Sequence, residues 1–131
     1  MIKLEKITLY HYTSNKIKDN YLRVKYYGYN WYTKNDVTAT PVKRLFFFTT
    51  PKPLEYRFKG WQYRYTVSID KNFIYDLRIN KLKLPTDSIT NLLNILIKKG
   101  YKGIIYNVGY DVVNLFYDVK INNKSILTKV K

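Results

Sequence analysis

The sequence predicts a single α+β domain built on a largely antiparallel sheet, and three observations carry that prediction. About seven segments have the composition or alternation of strands, the cleanest placing Tyr63, Tyr65, Val67 and Ile69 on one face against Gln62, Arg64, Thr66 and Ser68 on the other. One segment, 88–99, carries a helical stripe instead, with Ile89, Leu92, Leu93, Leu96 and Ile97 at the i, i+3, i+4, i+7, i+8 positions. The 131 residues, 46% hydrophobic and 18% aromatic, suffice for one core but not two, so residues 1–131 read as one folding unit.

The first strand spans 7–13. Ile7, Leu9, His11 and Thr13 share one face of it, and Thr8, Tyr10 and Tyr12 share the other. His11 is the only histidine in the chain and points with two aliphatics. It is either a core or hairpin-edge residue with a satisfied hydrogen bond, or an imidazole presented into a cleft. The polar run 14–20 offers a short helix capped at Ser14. Residues 21–32 follow, interleaving Arg23 and Lys25 with Tyr26, Tyr27, Tyr29 and Trp31. Aromatics among cations can stack bases or a nicotinamide ring and contact a polyanion, each base stack being worth about 1–3 kcal/mol. The alternative is that these tyrosines pack on the core with wet hydroxyls.

Leu45-Phe46-Phe47-Phe48-Thr49-Thr50 is a short apolar run expected to form a strand buried on both faces, stopped by Pro51 and Pro53. After the strand beginning at Gln62, the turn Asp70-Lys71-Asn72 and a second alternating strand over 73–79 predict a hairpin. The helix is expected to be capped by Thr86 or Asp87 and closed by Lys98-Lys99-Gly100. Strands over 104–108 and 111–117 flank a turn at Gly109. Asn122-Asn123 reads as the turn of a last hairpin joining 117–121 to 125–130.

Composition narrows the chemistry. There is no cysteine, which excludes disulfides and thiol nucleophiles, and with one histidine a transition-metal site is not expected. The first residues lack the apolar run of a signal peptide, and no stretch reaches the ~20 apolar residues of a membrane span, so a cytoplasmic protein without a membrane partner is expected. Twenty-four Lys and Arg against nine Asp and Glu give a net charge of +15. That balance favours polyanionic partners, nucleic acid or acidic protein, or else reflects the lysine bias of an AT-rich genome. Oligomeric state is open between a monomer and a small oligomer.

Several blocks, in order, resemble the ADP-ribosyltransferase superfamily. They are Leu9-Tyr10-His11-Tyr12-Thr13-Ser14 on the opening strand, Phe47-Phe48-Thr49 on a middle strand, Gly100-Tyr101-Lys102-Gly103-Ile104-Ile105 after the helix, and a closing hydrophobic strand. The resemblance implies a split β-sandwich around an NAD cleft. NAD would be the substrate, with no metal, and its nicotinamide–ribose bond would be cleaved through an oxocarbenium-like transition state. It implies that His11 holds a ribose hydroxyl, with Tyr12, Thr13 and Ser14 around it, and that Tyr56, Tyr63 or Tyr65 fixes the nicotinamide.

The remaining role departs from the family pattern. The family places a glutamate at the start of the closing strand, where this chain has Asp111, one methylene shorter. A displacement of about an ångström can cost about a hundredfold in rate. Asn114, on the same strand, could bond a hydroxyl but carries no charge. Asp111 alternatively reads as a turn residue beside Gly109-Tyr110. The function implied is transfer of ADP-ribose to a host nucleic acid or acidic protein by a viral or mobile-element protein. A non-catalytic basic, aromatic module binding a polyanion is the alternative. A metal-independent ribonuclease with His11 as general base is a third reading.

Overall fold

The computed structural model describes residues 5–25, 42–50 and 63–126. Strand β1 spans Lys6–Thr13, β2 Tyr21–Leu22, β3 Leu45–Phe48, β4 Tyr63–Asp70 and β5 Ile74–Asp76. Helix α1 spans Ile89–Lys98, and β6 Gly103–Asn107, β7 Asp111–Leu115, β8 Val119–Lys120 and β9 Asn123–Ile126 complete the set. Seven strands join in the order β5-β6-β7-β3-β1-β4-β9, and β2 pairs separately with β8. Every neighbouring pair is antiparallel except β5 with β6. The α+β class and the mainly antiparallel sheet are thus as expected. Where the resemblance implies two sheets, the described strands form one seven-stranded ladder and a two-stranded ribbon.

Both faces of the sheet are covered, which is why its strands carry apolar residues on both sides. On β6, Ile104 joins Leu92, Leu93 and Leu96 of α1 together with Tyr75. Its neighbour Ile105 points the other way, into a core with Leu9, Phe47, Tyr65, Val67, Val113 and Leu115 that Leu22 and Val119 of the ribbon close. The predicted stripe of α1 is the buried one, except that Ile97 at its edge is exposed. Ser88, not Thr86 or Asp87, caps the helix by accepting the N–H of Asn91. At the other end Gly100 has φ +91°, Gly100 N–H bonds the Ile97 carbonyl and Tyr101 N–H bonds the Leu96 carbonyl. That is the left-handed closure a glycine permits.

Four expectations are corrected. No helix starts at Ser14, because side chains claim the amides a first turn would leave: Asn15 N–H bonds Thr13 Oγ1 at 3.1 Å, and Ile17 N–H bonds the Tyr65 hydroxyl at 2.9 Å. Strands β4 and β5 form no hairpin, since β1 and β9 occupy both edges of β4. A 3-10 turn at Lys71–Phe73, held by Asp70 accepting from Asn72 N–H, carries the chain on to pair with β6 instead. Among the described residues the last hairpin is not formed either, β8 pairing with β2 and β9 with β4. Finally, β3 is not buried equally on both sides. Leu45 and Phe47 are buried, while Phe46 and Phe48 are only partly so.

Candidate functional site

The site begins with β1. Its eight-residue register with β4 sets His11 opposite Tyr65 and Thr13 opposite Tyr63, so these four side chains share the ribbon face of the sheet. The His11 ring lies 5.5 Å from that of Phe47, and its Nδ1 is 2.7 Å from the Phe46 carbonyl oxygen. A carbonyl only accepts, so Nδ1 carries the proton and donates, which leaves Nε2 as an unprotonated acceptor in the neutral ring. Among the described residues no side chain or backbone group bonds Nε2. Burial lowers the pKa of His11 below its ordinary 6.5, the Phe46 hydrogen bond opposes that effect, and the charge of Lys25 adds to it. The imidazole is therefore neutral at pH 7. It can accept a proton-bearing group but is a poor acid.

The tyrosines divide. Tyr65 is fully buried, its ring stacked on Tyr63 at 6.4 Å and its hydroxyl taken by Ile17 N–H, so it is a core residue with no ring face for a nicotinamide. Tyr63 is half-buried, with Lys124 Nζ at 5.9 Å from its ring centre, and is the described tyrosine beside the histidine face. Tyr12 lies on the opposite face of β1, buried, donating its hydroxyl proton to the Thr50 carbonyl at 3.1 Å. Burial raises its pKa, partly offset by Arg64. Tyr56 lies outside the described residues.

Asp111 opens β7, two strands from β1. Tyr10 pairs with Phe48 and Phe48 with Val112, so His11 and Asp111 flank that row and point to the same face. Sheet spacing puts their Cα atoms about 12 Å apart. The fold therefore shares a face between imidazole and carboxylate without bringing them into contact. Both carboxylate oxygens are used: Arg78 Nη1 donates to Oδ2 at 3.0 Å and Asn107 Nδ2 to Oδ1 at 3.1 Å. Arg78 also forks onto Asp76 at 2.9 and 2.8 Å. Arg78 holds the Asp76 carboxyl below the usual range, and the two carboxylates in turn raise Arg78. Asn107 accepts from Gly109 N–H at 2.9 Å, so Asp111 also closes the β6–β7 turn, as its turn reading expects.

The basic aromatic stretch is less available than its composition suggests. Arg23 is ion-paired with Asp19 and Asp118 and sits 5.8 Å from the Tyr21 ring, while Lys25 forms a backbone bridge with Arg44. Tyr26, Tyr27, Tyr29 and Trp31 lie outside the described residues. Two groups near the sheet were missed by sequence reading. Arg78, the clamp on Asp111, had a local signal in its spacing from Asp76. The buried Arg44 had none, being a cation beside an apolar run. Among the described residues no cluster of His, Asp and Glu could hold a metal, and no helix is long and apolar enough to cross a membrane. No family model matches the chain, nor does any curated protein or solved structure.

Proposed function

We propose that the chain is an NAD-dependent ADP-ribosyltransferase acting on a host macromolecule, with His11 holding a ribose hydroxyl of NAD. The observation that carries this reading is the Phe46 carbonyl on His11 Nδ1, which leaves Nε2 as the unprotonated nitrogen of a ring that burial favours in its neutral form and that shares a face with Asp111. In the reaction the bond between nicotinamide nitrogen and ribose C1′ breaks, and its electron pair leaves with nicotinamide. An acceptor nucleophile bonds C1′ and gives its proton to solvent. Asp111 would stabilise the cationic ribose once Arg78 yields one oxygen, and Tyr63 would meet the nicotinamide. A net charge of +15 suits a nucleic acid or an acidic protein as acceptor.

The test incubates the purified protein with labelled NAD and a host lysate, alongside His11→Ala, and divides the product between nuclease and protease treatment. Label transferred by the wild type alone supports the reading, and the treatment that removes it names the acceptor class. The absence of both label transfer and calorimetric NAD binding would overturn it. One observation favours a second reading, a non-catalytic module: Arg78 neutralises Asp111. In that case NAD has no effect, and affinity for a polyanion falls steeply with salt.

A further inference from the structure

The loop between β5 and α1 sorts its aliphatic side chains in opposite directions. Leu77 and Leu84 pack against the core beneath α1. Ile79 and Leu82, between them, stand in water at 70% and 48% exposure. That outward pair is held by the backbone. Asn80 and Lys83 adopt φ 41° and 51°, the left-handed region that costs a residue with a Cβ free energy. Asn80 N–H bonds the Asp76 carbonyl at 3.0 Å, and Lys83 N–H bonds the Asn80 carbonyl at 2.9 Å. The Asn80 side chain bonds both the N–H and the carbonyl of Leu84 at 3.0 Å, and Leu82 N–H donates to the hydroxyl of the buried Tyr75 at 3.1 Å. Because β5 and β6 run parallel, the β6–β7 turn reaches the same end of the sheet with Val108, which is 42% exposed. Three of the six exposed large hydrophobics among the described residues thus lie at one end.

We infer that this end of the sheet, led by Ile79 and Leu82, docks on an anionic lipid surface. Ile79 and Leu82 are interleaved with Lys81 and Lys83, which are exposed and have no carboxylate partner among the described residues. Residues 77–86 hold three cations and no acid, and the carboxylates that end β5 and begin β7, Asp76 and Asp111, are tied up by Arg78. Protruding aliphatics among cations match a bilayer interface, where the first enter the acyl boundary and the second meet anionic headgroups. A nucleic-acid backbone would satisfy the lysines but offers Ile79 and Leu82 no apolar layer. An acidic protein would need an apolar pocket beside its carboxylates, whereas a bilayer is apolar wherever the loop meets it. The contact is peripheral and needs no membrane-crossing helix, and it departs from the expectation of a chain without a membrane partner. It uses neither His11 nor NAD, so it stands apart from the transfer reading.

The chain has no cysteine, so Ile79→Cys takes a single environment-sensitive fluorophore. Asn72→Cys is the control, exposed on the 3-10 turn before β5 at the opposite end of that strand. Vesicles of phosphatidylcholine and phosphatidylserine should shift the label at position 79 to the blue and leave the label at position 72 unmoved. Phosphatidylcholine alone should shift neither. In co-sedimentation with the mixed vesicles, Ile79→Ser combined with Leu82→Ser keeps every charge and should weaken binding about tenfold or more. Lys81→Gln should weaken it about fivefold. The inference is overturned if the label at 79 does not shift, if both labels shift alike, or if phosphatidylcholine alone shifts the label at 79 as far. It is also overturned if the serine pair binds as the wild type does, which would mean that overall charge alone holds the vesicle, or if duplex DNA shifts the label at 79 as far as the mixed vesicles do.

Discussion

The two faces of the sheet each take in a basic side chain, His11 half-buried and Arg44 buried, and they do so by opposite means. On the ribbon face His11 is accommodated by losing its charge, since burial outweighs its single carbonyl bond. On the helix face Arg44 cannot lose its charge and is held by the Asn114 amide and the Phe46 ring. Charge that can be shed makes a site sensitive to pH, whereas charge that cannot be shed makes the packing around it indispensable. The ribbon face should therefore tolerate substitution and respond to protons, and the helix face should do neither.

The largest expected effect falls on the helix face. Asn114→Leu removes one acceptor from the buried Arg44 and one donor from the Tyr106 hydroxyl, and should cost about 2–4 kcal/mol in urea denaturation. A loss near zero would break the contrast. Next comes Gly103→Ala at the junction of the two cores, where a Cβ would sit 2.7 Å from both the Asn114 carbonyl oxygen and Leu115 Cδ2. Overpacking of this kind costs about 1–3 kcal/mol, readable in the same denaturation experiment. On the ribbon face His11→Phe keeps the ring and discards one hydrogen bond, so the loss at pH 8 should be about 1 kcal/mol or less while any NAD binding disappears.

A pH series sharpens the comparison further. The folded pKa of His11 lies below 6.5, so the unfolded chain binds the proton first. Its contribution is complete above pH 6.5 and is lost as pH falls from there toward the folded value. His11→Phe should flatten that limb of the stability curve, and Asn114→Leu should leave its shape alone. The smallest effect belongs to Asp76, whose lowered pKa adds stability that is present above its ordinary 3.8 and lost as pH falls through the folded value. With both partners partly exposed, Asp76→Asn should cost less than about 1 kcal/mol at neutral pH.

What was readable in the sequence was whatever a short window encodes. The alternation of β4, the stripe of α1 and the face on which His11 lies are local periodicities, and the structure has them where expected. Strand partners were not readable. Adjacent strands β4 and β5 look like a hairpin until β1 and β9 claim both edges of β4, a fact contained in residues fifty or more positions apart. The clamp on Asp111 failed to show for the same reason: the spacing of Arg78 from Asp76 is local, but Asp111 lies 33 residues further on and is met only because β5 runs parallel to β6. Asn80 is another such case. It adopts φ 41° and bonds Leu84 through both its amide nitrogen and oxygen, organising the loop after β5, yet in sequence it is one asparagine among many.

Because His11 is the only histidine, its ring nitrogens give a single, unambiguous set of signals, and a histidine-labelled proton–nitrogen NMR titration is the most direct measurement. The account predicts an Nδ1-protonated neutral ring at pH 7, titration below 6.5, and a shift of Nε2 alone when NAD is added. A proton on Nε2, titration above 6.5, or Nε2 unmoved by saturating NAD would contradict it.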